Sequence, residues 1–442
     1  MAGSAQPRRA FGFWICLALV IGNMIGSGFF LMPATLAPFG WNGVAGWVVT
    51  TAGALCLAIV FGSLVRSLPK AGGPYAYSRE AFGPFAAFVV AWSYWLSMWI
   101  GNVAIATGVV APLSTVFPGI TENSALITLA LVWGLTAINC HGAKTVGQIQ
   151  LVTTLLKFLP LVAVVLLAIL VLGTGGGEAA PSLRARDLSL TGETGIAAAA
   201  ALTLWSFLGL ESATVPAERI ANPRRTIARA TLIGVVLTGI VYTFTCSSVA
   251  LLMPPERVAS SGAPMAEFIG AHWGTSAATI IALFAALAAF GTLNGWILMQ
   301  GELPWAMARD GVFPAWMAKL SRRGTPVRAH VTASLLLTAV LALNQWRSMT
   351  DLFEFLILLA TTATLVAYFA CSLAALKLGV DRKKAPIFIV AALFSVWAIW
   401  GAGTEAALWG AVLLASGVPI YFLIALGRSS PAAADSPAQP PE

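Results

Sequence analysis

The chain has 442 residues, 58% of them hydrophobic and only 10% charged, with a formal net charge of +8. Soluble domains carry roughly 45–50% apolar and 25% charged residues, so a water-soluble fold is excluded. The basic residues lie between apolar runs, where they read as topology signals and imply no nucleic-acid partner.

The apolar content is gathered into runs of about 20 residues, the length an α-helix needs to cross the ~30 Å hydrocarbon layer. About twelve spans are expected, over roughly 12–36, 43–65, 85–113, 124–140, 149–173, 195–215, 228–253, 275–303, 328–346, 352–377, 386–402 and 405–427. The fold class is therefore an all-α polytopic membrane protein. Arg8 and Arg9 precede the first run, but no small-residue cleavage site follows, so a first span is expected there and not a removed signal peptide. That span is interrupted by Gly22-Asn23-Met24-Ile25-Gly26-Ser27-Gly28. Span three carries Tyr94 and, two turns later, Asn102. In span five Lys157 sits about mid-way, too far from either end to snorkel comfortably, so its ammonium needs acceptors. Broken-helix carbonyls of span one could supply them; the alternative is a lysine reaching the inner surface beside Pro160.

Span six has a second interruption, Leu204-Trp205-Ser206-Phe207-Leu208-Gly209-Leu210-Glu211-Ser212. Glu211 is a carboxylate deep within a span, costly unless paired or protonated, and so a proton-relay or cation-sensing candidate. It could instead simply hydrogen-bond the broken backbone. Span eight has a further glycine-containing interruption, Gly291-Thr292-Leu293-Asn294-Gly295, before Trp296. A break at mid-depth is tolerated only where it faces protein or a water-filled cavity. Breaks in spans one and six are five spans apart, as expected for inverted repeats meeting at a central substrate site, unless the glycines merely permit close packing. Trp205, Trp296 and Tyr94 are aromatic faces suited to a ligand ammonium or guanidinium.

With a cytoplasmic N-terminus, nearly all Lys and Arg fall on the inner side, leaving Arg184, Arg186, Arg257 and Arg347 outside. Both termini are then cytoplasmic, in a cell inner membrane. One transport domain is expected over residues 1–427, with repeat one at about 12–173, repeat two at about 195–377 and two extra helices at about 386–427. A Ser-, Pro- and Ala-rich tail over 428–442 has nothing to bury and is expected to be disordered. Cys16, Cys56, Cys140, Cys246 and Cys371 are scattered singly and read as core residues, and His141, His272 and His330 form no metal or catalytic cluster. No metal or cofactor is implied. An enzyme would need a catalytic constellation and a receptor a sensor domain; neither occurs, nor does an ATP-binding loop. The remaining class is secondary transport by alternating access.

Asn23 to Ala34, Gly72-Gly73-Pro74-Tyr75-Ala76-Tyr77, Trp99-Ile100-Gly101-Asn102, Leu204 to Ser212 and Asn222-Pro223-Arg224-Arg225 resemble the basic amino acid/polyamine antiporters of the amino acid–polyamine–organocation (APC) superfamily, the arginine/agmatine antiporters above all. The resemblance implies a LeuT-type fold with 5+5 inverted repeats, broken helices 1 and 6 and two extra helices, often as a homodimer. It places a substrate carboxylate at Ser27 with the backbone of Gly26 and Gly28, and a substrate ammonium at carbonyls of Met24, Trp205 and Leu208. It maps the side-chain pocket onto Ser97, Met98, Asn102, Ile105, Trp205 and Trp296, the gating aromatics onto Tyr94, Trp205 and Trp296, and the acidic pH-sensing position onto Glu211. Three positions depart from those antiporters. Lys157 replaces a small apolar residue, as in proton-coupled and sodium-independent relatives; Met98 replaces a cysteine; and an apolar residue near Leu358 replaces a serine that contacts the guanidinium. A smaller or less polar amino acid, and a proton-coupled symporter using Lys157, therefore stay open beside amino acid/amine exchange.

Overall fold

The computed structural model describes residues 10–174, 188–343 and 349–429; within these, the side chains of Ser27, Thr121, 343–355 and 425–429 are not described. Arg8, Arg9, Arg184, Arg186, Arg347 and the tail from 430 onward lie outside the described residues.

The described residues are mostly helical. α1 (Phe13–Met24) and α2 (Ser27–Leu36) are followed by α3 (Trp41–Ser67), the short α4 (Pro74–Phe82), α5 (Pro84–Val116), α6 (Ser124–His141) and α7 (Ala143–Gly173). After α8 (Ile196–Trp205) come turns, then α9 (Pro223–Leu252), α10 (Pro255–Ala259), α11 (Pro264–Trp273) and α12 (Thr275–Arg309). α13 (Val327–Leu343), α14 (Met349–Lys377), α15 (Ala385–Gly401) and α16 (Thr404–Ser429) complete the order. Among the described residues there is no strand, only an isolated bridge between Phe11 and Ile220. Pro74, Pro84, Pro223, Pro255 and Pro264 each open a helix, where the missing N–H costs nothing and the fixed φ already suits the first turn.

Among the described residues, 10 helical stretches are long and apolar enough to cross a membrane, with α1 and α2 counted as one. The shorter apolar helices Ile196–Trp205 and Val327–Ala342 occupy the positions of expected spans six and nine. α5 packs against α12 and α14, α12 against α7, and α3 against α9, burying one apolar core that includes Trp47, Phe61, Phe88 and Met299. Leu155, Leu159, Leu166 and Ile169 of α7, with Leu393, Trp400, Leu408 and Leu423 of α15 and α16, remain exposed. Those are the faces a hydrocarbon solvent would cover.

Two sequence expectations need correcting. Span six breaks where expected but does not resume as an α-helix before 215: α8 stops at Trp205, and residues 206–219 form turns and two short 3₁₀ segments. Span eight is not interrupted, because α12 runs unbroken through Gly291 and Gly295. Those glycines serve close approach instead. A Cβ on Gly291 would overlap the Thr153 side chain, and one on Gly295 the Asn23 amide. The last helix also continues to Ser429, into the first residues assigned to the tail.

Candidate functional site

Between α1 and α2 the chain unwinds at Ile25 (φ −77°, ψ 97°) and Gly26 (φ −144°, ψ −157°). The unwinding frees carbonyls at the end of α1 and amides at the start of α2, which must find partners. Lys157 from α7 supplies the first need. Its Nζ donates to Gly22 O at 2.6 Å, Ile25 O at 2.5 Å and Thr292 Oγ1 at 2.8 Å, and the side chain is 1% exposed. Thr292 also reaches Gly22 O and Ile25 O, at 2.7 and 2.8 Å. Gly26 is required here because Thr292 fills the space a Cβ would take. Lysine, threonine and two carbonyls thus tie α7, α12 and the first break into one unit.

The second break is held by the opposite charge. Glu211 is fully buried; it accepts hydrogen bonds from the hydroxyls of Tyr94 and Tyr368 and, at 3.2 Å, from the Gly209 amide. Gly209 sits at φ +101°, where only glycine is free of strain. Tyr94 lies on α5 and Tyr368 on α14, so the carboxylate joins both helices to the unwound segment.

The two breaks meet at a cavity of about 20 Å³, lined by Asn23, Met24, Gly26, Gly28, Ile105, Trp205, Ser206, Leu208, Thr292 and Trp296. That is room for about one water. Trp205 closes over Gly28 so tightly that a Cβ there would overlap the indole, and Trp296 Nε1 donates to Asn23 O at 3.2 Å. Of the residues expected at the site, the structure gathers Met24, Gly26, Gly28, Ile105, Trp205, Leu208 and Trp296 around this cavity. Ser97, Met98 and Asn102 are buried in α5 but do not line it, and Ser27 opens α2 with its side chain outside the description. Lys157 stands behind the first break, and Tyr94 and Glu211 brace the second. Tyr368 escaped the sequence reading. Its signal was a phenol in an apolar run, since a buried hydroxyl needs a partner.

A larger cavity of about 710 Å³ lies further along the same helices, lined among others by Leu31, Ala34, Thr107, Glu193, Leu202 and Leu358. Leu31 follows Gly28 on α2 and Leu202 precedes Trp205 on α8 by three residues each, so about one helical turn separates the two spaces. The opposite end of the molecule is closed by ion pairs. Arg219 Nη2 lies 2.6 Å from Glu302 Oε1, both nearly inaccessible, and Arg309 meets Glu218 through two contacts of 2.6 and 2.9 Å. Adjacent residues of opposite sign after the second break thus grip two positions seven apart on α12. Asp310 accepts from Arg79 and from Tyr75, whose hydroxyl is 3.2 Å away, adding α4 to this closure. Phe11 is stitched to the same loop through Arg219 O at 3.0 Å and the Ala221 amide at 2.9 Å.

A helical membrane protein with two facing breaks, a closed ion-paired end and a cavity at the other is built as a transporter. The family comparison agrees: residues 11–428 match the amino acid permease model, and the chain belongs to that family, within the APC superfamily. It is 32% identical over 434 residues to a putative arginine/ornithine antiporter of Bacillus subtilis, covering 89% of this chain and 92% of the relative. It is 33% identical over 369 residues to the cadaverine/lysine antiporter of Escherichia coli, covering 82% of each. An arginine/ornithine antiporter of Pseudomonas aeruginosa is 27% identical over 441 residues, covering 91% of this chain and 88% of the relative. These are names of transporters and not of enzymes.

Proposed function

We propose that this protein is an antiporter that exchanges a basic amino acid for another amino acid or for an amine, by alternating access about the cavity between the two helix breaks. The observation that carries the reading is the convergence of both breaks on one small space. Amides at the start of α2 present a positive dipole end to a substrate carboxylate, while carbonyls of Met24, Trp205 and Leu208 and the faces of Trp205 and Trp296 suit an ammonium. The relatives, named for arginine, ornithine, lysine and cadaverine, supply the substrate class. In this reading α8 with its following turns and α13 complete twelve spans, arranged as 5+5 inverted repeats of LeuT type plus two extra helices. The basic end faces the cytoplasm together with both termini, and the inner-membrane protein works alone or as a homodimer. The present arrangement is then shut toward the cytoplasm, with Trp205 between the substrate space and the outer cavity.

Proteoliposomes loaded with lysine, ornithine, cadaverine or leucine test this directly. Labelled lysine should accumulate in vesicles holding a basic solute and not in empty ones. Ser27→Lys should abolish accumulation while the purified protein stays monodisperse, because a long cation would occupy the anion site. Equal uptake by empty vesicles, or undiminished uptake by the variant, would remove the reading. The burial of Lys157 away from water, which disfavours a fixed charge there, supports a second reading, proton-coupled symport, in which uptake into empty vesicles follows an imposed pH gradient.

A further inference from the structure

The basic side chains at the ion-paired end fall into two kinds. Arg79, Arg219 and Arg309 each meet a carboxylate. His141 at the end of α6, Lys144 in the first turn of α7, and Lys319, Arg322, Arg323 and Arg328 around the start of α13 are exposed. None of these six makes an ion pair with a carboxylate among the described residues. The flanking sequence offers no partner either, since no Asp or Glu occurs over 123–177 or 311–350. Arg323 Nη1 instead meets His141 Nδ1. A guanidinium only donates, so Nδ1 accepts and the ring hydrogen sits on Nε2. Both side chains then have only N–H groups left to offer, which suits an anion.

The turn that carries the arginines is fixed. Ser321 N donates to Thr325 O at 2.8 Å and Gly324 N to Ser321 O at 2.9 Å, with Gly324 at φ +74°. Thr325 Oγ1 donates to Cys140 O at 2.9 Å, which ties the turn to the end of α6. Its other side is joined to the closure: Arg219, the partner of Glu302, donates from Nη2 to Gly324 O at 2.9 Å.

Apolar surface adjoins the patch. Trp316, whose carbonyl accepts from Arg328 at 3.2 Å, is exposed, and so are Val152 and Leu155 further along α7 and Leu335 and Leu336 further along α13. α6 packs against both of those helices. A free anion would use the cations alone. A phospholipid meets both parts, its phosphate against the guanidinium groups and its chains against the apolar faces.

We propose that the 321–325 turn, with His141 and Lys144, is a site for the phosphate headgroup of an anionic phospholipid in the cytoplasmic leaflet, and that a bound headgroup steadies the turn and, through Gly324, the Arg219–Glu302 closure. The inference goes beyond the exchange reading and does not depend on which solute is carried.

The test titrates the purified protein in neutral detergent with short-chain phosphatidylglycerol, phosphatidylcholine or inorganic phosphate and follows Tm. Phosphatidylglycerol should raise Tm and the other two should not. Arg322→Gln combined with Arg323→Gln should raise the half-saturating phosphatidylglycerol concentration about 25-fold, because each basic residue at an anionic surface is worth about fivefold. Arg382→Gln combined with Lys383→Gln removes the same charge from the exposed turn between α14 and α15 and should leave it unchanged. An equal rise in Tm with inorganic phosphate or phosphatidylcholine, or equal weakening by the two double variants, would overturn the site. Hydrogen–deuterium exchange reads the second half of the proposal: phosphatidylglycerol should slow exchange of the 321–325 amides and of the loop around Arg219. Slowing confined to the turn would overturn its link to the closure.

Discussion

The two helix breaks are braced by opposite charges, and the difference follows from which backbone groups each leaves open. At the first, the end of α1 turns the carbonyls of Gly22 and Ile25 toward one point, and a lysine ammonium occupies it. At the second, the Gly209 amide and two phenols point inward, and a carboxylate accepts from all three. Each unwound segment selects the side chain that complements its exposed backbone dipoles. The surroundings differ too. Lys157 is held mainly by main chain, whereas Glu211 is held by hydroxyls on two other helices, which can part if those helices move.

Removing each charge separates these roles. Lys157→Ala should have the largest effect: Gly22 O and Ile25 O would be left to the single proton of Thr292. Losing two charge-assisted bonds of ~1.5 kcal/mol or more each predicts a fall in lysine uptake of about a hundredfold or more. If the lysine instead serves only to carry a coupled proton, exchange without a pH gradient would continue at a normal rate while gradient-driven uptake disappears. Glu211→Gln keeps an acceptor oxygen and removes the charge. A smaller loss at the optimum is expected, about tenfold or less, with a flattened pH profile of exchange, since one buried hydrogen bond is preserved. A rate-pH curve identical in shape to wild type would reduce Glu211 to a structural clasp.

The tyrosines refine the comparison further. Tyr368→Phe deletes one of three donors to Glu211 and should cost about 1.5 kcal/mol, the low end for a hydrogen bond to a charged group, read as about a tenfold change in exchange rate. If Tyr368 belongs to the same unit as Glu211, the Phe change should add nothing in the Glu211→Ala background. Replacing Trp205 or Trp296 by Leu should weaken a cationic substrate by ~0.5–2 kcal/mol and a neutral one by less. Equal losses for lysine and leucine in binding measurements would mark the indoles as packing elements.

Ten of the expected spans and the two places where helices stop at mid-chain were legible in the sequence for two reasons. Bilayer thickness sets run length, and a Gly-Ser-Gly or Gly-Leu-Glu at mid-depth survives in lipid only where it faces protein or a cavity. Lys157 beside the first break was legible on similar grounds: an ammonium at that depth needs acceptors, and only an opened helix offers main-chain ones. What escaped depends on register between helices far apart in the chain. Gly291 and Gly295 look like a third break, but Thr153 and Asn23 on neighbouring helices need their missing side chains. Tyr368 is 157 residues from Glu211, and no periodicity announces that pairing. Glu218, Arg219, Glu302 and Arg309 read as ordinary end-of-span charges until packing sets them opposite one another.

That last group bears on what the protein does when it carries nothing. Any motion that parts the loop after the second break from α12 must separate two ion pairs, one of them shielded from water, and a shielded charge stripped of its partner is strongly unfavourable. A loaded carrier can offset this with contacts to its passenger, but an unloaded one has only a space the size of a water. Idle return would then be slow, and flux would appear only as a swap. Cutting the outer pair with Arg309→Ala should raise the leak of preloaded lysine into substrate-free buffer more than it changes lysine–lysine exchange. Leak and exchange rising in proportion would deny the pair this braking role.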